Sequence, residues 1–267
     1  APDAVSEHIK WFLRRIHDGN IYDVEHDKIV NMNNVVIDDE GDLQLSYGSI
    51  EASLEIMYNA ARKIFQKKSV LMGIGGDHSI SWPLIRALHD ETEGPVGLIQ
   101  FDAHLDLLDE NFTQGKFSHS SEIYRAIELE HIDPKNIVQI GVRNFNYPEA
   151  FALVREMGIV QYTPCNLRSK GAARCATEIV DAFAARGCKT IYLTLDIDVL
   201  DPAFAPGTGA DEPGGLFPDE LFKMLEIFAP RIAAFDVAEV NPLYDTHGMT
   251  VAVAAKAIFS TIVNNAA

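Results

Sequence analysis

The sequence predicts an α/β fold: a single three-layer αβα domain with a mostly parallel central sheet. Two patterns carry that expectation. Short, nearly continuous apolar runs recur along the 267 residues, and most end in glycine, Asp or another polar residue. Stretches with helical spacing lie between them. Strands buried on both faces read as continuous apolar runs. Strand–helix alternation implies parallel strands joined by right-handed crossovers.

The elements follow in order. Residues 22–46, rich in Asp and Asn, read as irregular surface. Residues 48–66 place Ile50, Leu54, Met57, Ala61 and Ile64 on one helical side. A strand over 69–74 runs into Gly75-Gly76-Asp77-His78, and a helix over 81–89 follows. The strand at 96–101 ends at Asp102-Ala103-His104-Leu105-Asp106, before a helix over 120–130. The strand at 137–140 leads into Gly141-Val142-Arg143-Asn144, and 148–156 is helical. A weaker strand at 158–162 ends at Thr163-Pro164, with a helix over 174–185 beyond. The strand at 190–195 reaches Asp196-Ile197-Asp198, and 218–228 is helical. The strand at 232–237 ends at Ala238-Glu239, and a helix over 249–263 closes the chain. Without repeats or a Pro/Ser-rich linker, residues 1–267 read as one domain.

Composition excludes several classes. Hydrophobic residues make up 47% and charged residues 23%, which rules out a disordered or fibrous chain. Lys plus Arg is 22 and Asp plus Glu is 39, so the net charge is −17. That surface repels phosphate backbones and anionic lipid, so neither nucleic acid nor membrane is expected as a partner, and a cationic ligand or metal suits it better. No apolar run is expected to reach the ~18–20 residues of a membrane span. The opening Ala1-Pro2-Asp3-Ala4 carries no basic leader, and its lack of Met suggests a trimmed start. Three cysteines without a CxxC pair point to a reducing, cytoplasmic setting.

In open parallel sheets, ligands bind beyond the carboxyl ends of the strands. Alternate side chains of an extended backbone share a face. Asp102, His104 and Asp106 therefore point into one space, and Asp196 and Asp198 repeat the spacing. His78 follows two glycines, where the backbone bends tightly. A lone Asp-x-Asp is usually a loop or a cap; three such segments at strand ends are a site. Four carboxylates cannot share it ionised without strong repulsion, which two divalent cations would relieve. The oxygen-rich donor set suits Mn²⁺, with nickel, iron, cobalt and zinc as alternatives.

Gly75-Gly76-Asp77-His78-Ser79, Phe101-Asp102-Ala103-His104-Leu105-Asp106 and Asp196-Ile197-Asp198-Val199-Leu200-Asp201-Pro202 resemble the three signatures of the ureohydrolase family, which includes arginase and agmatinase. The resemblance implies an arginase-like fold holding two metals, Mn²⁺ first and Ni²⁺ as the alternative. His78 and Asp106 would bind one ion, His104 and Asp198 the other, with Asp102 and Asp196 bridging. It implies that Asp106 also steadies a bridging hydroxide, which attacks the guanidinium carbon of a small cationic substrate. Ser118-His119 resembles a loop whose histidine shuttles protons, and 237–242 a segment whose Glu, here Glu239, pairs with the guanidinium. Products would be urea and an amine.

Segments 109–119, 132–143 and 201–209 are similar to agmatinases, so agmatine is the expected substrate. Three departures admit guanidinobutyrate, guanidinopropionate, arginine, free guanidine or a biguanide such as metformin: Ser120-Ser121, Ala210-Asp211 and Ile123. Leu107-Leu108 departs from animal-type arginases, while 245–250 resembles plant-type ones. Loops 106–123 and 207–214 should rim the cleft; were the substrate to carry a carboxylate, Arg143 would be a place to seek its partner. A non-catalytic subunit and a one-zinc, deacetylase-type amidohydrolase are disfavoured, because all six ligand positions are filled. Pro2 to Ile9 resembles the family's N-terminal segment, so the family's first strand is expected to be missing. Family members are commonly trimers or hexamers, so a homo-oligomer is expected, with a hetero-oligomer as the alternative.

Overall fold

The computed structural model describes residues 1–266. Helix α1 (Pro2–Leu13) precedes a hairpin of β1 (Asn20–Asp23) and β2 (Lys28–Asn31). Then come α2 (Ile50–Gln66), β3 (Leu71–Ile74), α3 (Ser81–Asp90), β4 (Val96–Phe101) and α4 (Glu122–Ile127). The chain continues through β5 (Ile137–Ile140), α5 (Pro148–Met157), β6 (Val160–Tyr162), α6 (Pro164–Lys170) and α7 (Ala172–Ala185). It ends with β7 (Thr190–Asp196), α8 (Pro218–Phe228), β8 (Ile232–Ala238) and α9 (Met249–Ala266).

Six strands form the central sheet in the order β3-β8-β7-β4-β5-β6, every pairing parallel. Alternation along each strand sorts the apolar side chains into two cores. Ile99, Phe101, Leu193, Leu195, Phe235 and Val237 pack with α1, α7, α8 and α9. Leu98, Ile137, Tyr192 and Ala234 pack on the other face with α2, α3, α4 and α5. Three layers result, as the patterning predicts.

Two expectations need correction. The stretch 22–46 is not wholly irregular: it enters the hairpin, where Ile21 pairs with Val30. Val30 and Met32 are buried against Phe259 and Val263, while Ile29 faces outward. Four-residue strands are too short for that alternation to stand out. The apolar-run expectation also fails. The segment Thr246–Ala266 is long and apolar enough to span a membrane, with mean hydropathy 1.3. Here it packs against α1 and α8, with Phe12 and Phe259 stacked at 5.3 Å. A helix covered on several sides needs apolar residues all round, so its composition mimics a span. The helix expected over 120–130 shortens to α4, and α1 and α6 are additions.

Parallel strands bring their carboxyl ends to one edge, where two glycines permit close approach. A Cβ on Gly75 would lie 2.3 Å from Ile80 Cδ1 and 3.2 Å from the Val237 carbonyl. Gly141 has φ +108°, and its Cβ would stand 2.4 Å from Val199 Cγ2 and 2.9 Å from the Asp102 carbonyl. Gly141→Ala should therefore destabilise the protein by about 1–3 kcal/mol. Gly48→Ala, in open space, should change stability by less than about 0.5 kcal/mol. Urea unfolding of both variants checks the contrast; equal midpoints would mean that the Gly141 turn is not constrained.

Candidate metal centre

Each predicted ligand sits where a strand of the sheet gives way to a turn. Asp102 follows β4, and its Oδ1 accepts the His104 N–H at 2.6 Å. Asp196 ends β7, and its Oδ1 accepts the Asp198 N–H at 2.9 Å. Asp198 Oδ1 accepts the Ala103 N–H at 3.1 Å and so ties the β7 turn to the β4 turn. Asp77 caps the short 3₁₀ turn that presents His78. These Asx turns aim the remaining carboxylate oxygens inward.

The six side chains converge. His78 Nδ1 lies 3.0 Å from Asp106 Oδ2, 3.1 Å from Asp102 Oδ2 and 3.3 Å from Asp196 Oδ2. His104 Nδ1 lies 3.1 Å from Asp198 Oδ2 and 3.4 Å from Asp102 Oδ1. Asp102 thus faces one imidazole with each oxygen. His78, Asp102, Asp196 and Asp198 are buried, and His104 is partly open. Asp106 sits in a left-handed turn at φ 46°, a conformation Asp tolerates better than most residues.

Electrostatics follow from that packing. Burial raises the Asp102 pKa, but His104 and His78 outweigh it and leave the group lowered. Asp106 is raised to about 6 by burial and by the Asp102 charge. Asp196 is raised by burial, Asp198 and Asp102. Hydrogen bonds to Asp102 and Asp198 push His104 up to about 11. Against its burial, Glu122 and the neighbouring Asp102, Asp106 and Asp196 raise His78, and burial with the Asp106 charge raises Glu122. Protons therefore offset much of the carboxylate charge, and a divalent ion would take their place. The His/Asp donor set fits hard to borderline divalent ions. His78, Asp106 and Glu122 group on one side and His104 and Asp198 on the other, with Asp102 common to both, whereas Asp196 is in neither group and of the two imidazoles meets only His78, at 3.3 Å.

The imidazole of His78 is oriented from behind. Its Nε2 lies 2.9 Å from Thr194 Oγ1, and Thr194 Oγ1 donates to Asp236 Oδ1 at 2.9 Å. Asp236 also accepts from Ser81 at 3.0 Å and from the Tyr192 hydroxyl. Because the Thr194 proton points to Asp236, its oxygen accepts from His78 Nε2–H. Nδ1 is then the nitrogen turned to the carboxylates, and a metal that displaced its proton would meet the required tautomer.

Two further features were missed in the sequence. Gln161 Nε2 donates to Gln139 Oε1 at 2.8 Å, and Gln139 Nε2 to Gln100 Oε1 at 2.8 Å. These residues pair across β6, β5 and β4. The ladder fixes the Gln100 amide, whose NH₂ donates to Asp102 Oδ2 at 2.7 Å and Glu122 Oε1 at 3.3 Å. Glu122 is itself buried beside His78 and Asp106. Polar residues inside a strand or at a helix start carry no spacing signal.

The remaining predicted residues lie around the opening. Glu239 closes β8 at φ 61°, and its Oε1 accepts the His78 N–H at 2.8 Å. Burial raises its pKa, and the hydrogen bond from the His78 N–H acts against that rise. His119 is exposed on the loop after β4. Arg143 does not await a carboxylate tail. Its guanidinium donates to the carbonyls of Asp198 at 2.7 Å, Glu212 at 2.9 Å and Val199 at 3.2 Å. Ile123 does not line the opening either; it is fully buried among α3 and β4 side chains. A concavity of about 710 Å³ at Pro95, His131 and Arg186 lies at the opposite strand ends, away from this chemistry.

A parallel sheet with buried His/Asp clusters at its carboxyl edge defines a hydrolase of the metal-dependent α/β kind, and sequence comparison sharpens it. Residues 1–263 match the model of the Arginase family. An agmatinase of Halalkalibacterium halodurans is 33% identical over 221 residues, covering 82% of this chain and 72% of that protein. Proclavaminate amidinohydrolase of Streptomyces clavuligerus is 33% identical over 214 residues, covering 79% and 67%. The crystal structure of formimidoylglutamase from Bacillus subtilis superposes with a TM-score of 0.85 at 27% identity, covering 98% and 80%. The chain belongs to the arginase family, the ureohydrolases, which hydrolyse C–N bonds of linear amidines.

Thr194→Val should lower divalent-metal affinity roughly 10–100-fold, the usual effect of losing an outer-shell partner, while Thr194→Ser should restore it. Mn²⁺ titration calorimetry reads both. Equal affinities for the Val and Ser variants would dismiss the tautomer assignment.

Proposed function

We propose that residues 1–267 form one catalytic domain that hydrolyses a guanidino compound at two divalent ions. His78 and Asp106 would hold one ion and His104 and Asp198 the other, with Asp102 and Asp196 shared between them. The observation that carries this reading is Asp102, whose two oxygens face two imidazoles at 3.1 and 3.4 Å. Bound there, the ions supply Lewis acidity and an ionised water at neutral pH, Mn²⁺ being the first choice and Ni²⁺ the alternative. Glu239 holds the guanidinium as its counter-charge through a charge-assisted hydrogen bond. The His78 N–H fixes one carboxylate oxygen, and the other is left for substrate. Asp106 orients the nucleophilic water from its left-handed turn. His119, exposed at the opening, delivers the proton to the leaving amine.

Agmatine, giving putrescine and urea, is the substrate the charge pattern favours. Asp109, Glu110, Asp211 and Glu212 stand on the two rim loops, and the chain carries a net −17. The engagement of Arg143 by carbonyls counts against a carboxylate tail. A second reading has support in Phe112, Phe145, Tyr147 and Leu243, all exposed on loops that leave the same strand ends. Such an apolar rim suits an alkyl-substituted guanidine or a second subunit of a homo-oligomer, a trimer or hexamer by family resemblance. Three free thiols support a reducing, cytoplasmic setting.

Urea release from agmatine, arginine, guanidinobutyrate and dimethylbiguanide, with Mn²⁺- and Ni²⁺-loaded protein, is the test. Agmatine should lead in kcat/KM; a tenfold advantage for a carboxylate-bearing compound, ~1.4 kcal/mol in transition-state binding, would reverse the charge reading. Glu239→Gln keeps an acceptor for the His78 N–H, so it should retain both metals and lose most turnover. Loss of metal from this variant would reassign Glu239 to the ion site.

A further inference from the structure

Glu122 begins α4, one residue after the buried Ser121. Its side chain is fully buried, and its Oε1 stands 3.6 Å from His78 Nδ1. Its Oε2 has no hydrogen-bond partner. His78 is the one basic side chain within 4.0 Å of it among the described residues. Arg125, one turn along the same helix, turns away to Asp109 and Glu128. A buried carboxylate with an unpartnered oxygen and no committed counter-charge is costly, so it either holds a proton or takes a cation in its place.

The geometry supplies the place for one. Ligand atoms of His78, Asp102, Asp106 and Glu122 all lie within 4.8 Å of one another. Two ligands of one divalent ion, each ~2.0–2.2 Å from it, are separated by at most ~4.4 Å. The 3.6 Å between Glu122 Oε1 and His78 Nδ1 is within that span. The glutamine ladder reinforces the alignment, because one Gln100 NH₂ holds both Asp102 Oδ2 and Glu122 Oε1. It presents the two carboxylates to the same side of the cavity.

We propose that Glu122 is a seventh protein ligand, coordinating the ion held by His78 and Asp106. The proposal rests on the two-ion reading and deepens it: the two halves of the centre are unequal. The His78 side receives an additional carboxylate, whereas His104, Asp198 and the bridging Asp102 define the more open side. The ion at His78 should therefore be the tighter one, and the ion at His104 the one with room for exchangeable solvent.

Mn²⁺ titration calorimetry on wild type and Glu122→Gln tests this, with circular dichroism as the check on folding. Wild type should bind two ions. Glu122→Gln should keep one site unchanged and weaken the other by more than roughly 100-fold, beyond the ~10–100-fold of an outer-shell loss; a drop within that range would make Glu122 an outer-shell partner and overturn the proposal. Equal affinities at both sites in the two proteins would overturn the proposal alone, leaving Glu122 as a neutral acid hydrogen-bonded to Asp106. Fewer than two ions in wild type would overturn the dinuclear reading and this one with it. Anomalous diffraction from Mn²⁺-loaded wild type decides independently of any variant. A Glu122 oxygen within ~2.5 Å of one ion confirms ligation, and one beyond 3 Å with no shared density rejects it.

Discussion

Repulsion among buried carboxylates governs this molecule. Asp102, Asp106, Asp196, Asp198 and Glu122 share one cavity, and among the described residues His78 and His104 are the basic side chains that enter it. Taking an ion out of water has an effective penalty of several kcal/mol even after relaxation. Five such groups at one edge of a sheet are tolerable only where the backbone also contributes. The His104, Asp198 and Ala103 N–H groups each donate to one of these oxygens. The rest of the compensation comes from protons or from cations that displace them, so site and stability are linked: an ion that binds the folded cavity and not the unfolded chain stabilises the fold.

The sheet delivers that cavity with little freedom. The β4–β7 register places Phe101 opposite Leu195, so Asp102 and Asp196 leave neighbouring strands side by side. Gly141 lets the β5 turn press against the Asp102 carbonyl, and Arg143 then gathers the Asp198, Val199 and Glu212 carbonyls. One guanidinium therefore locks the β7 turn that carries a ligand to the loop that rims the opening. A ligand displaced by even an ångström no longer meets its ion, and rigid strand ends are the elements least able to drift.

Much of this was legible in the sequence because ligands obey a period. Asp102, His104 and Asp106, and Asp196 with Asp198, repeat at the two-residue spacing of extended chain, and the flanking runs are uniformly apolar. The supporting polar groups have no such signature. Thr194 and Gln100 occupy single interior positions of strands, where a polar residue reads as a lapse in an apolar run. Asp236 does the same in β8. Glu122 looks like the acidic first-turn residue of any helix. Their roles exist only across strands or between elements, as in the Gln161–Gln139–Gln100 ladder, and sequence separation hides them. The hairpin was missed for the opposite reason: its two strands are so short that their pattern is no stronger than chance.

Chemistry and specificity therefore have different supports. The ligands hang from strand ends fixed by two cores and by main-chain hydrogen bonds, whereas Phe112, Phe145, Tyr147 and Leu243 stand exposed on loops with no comparable packing. A substitution at one of these exposed side chains would leave the packing beneath the carboxylates untouched. That separation gives a physical reason why one sheet can serve an agmatinase, a proclavaminate amidinohydrolase and a formimidoylglutamase. Glu122 crosses the divide. It belongs to the helix that follows the β4 loop, yet its carboxylate lies beside His78 and Asp106, so it couples the charge of the cluster to that segment.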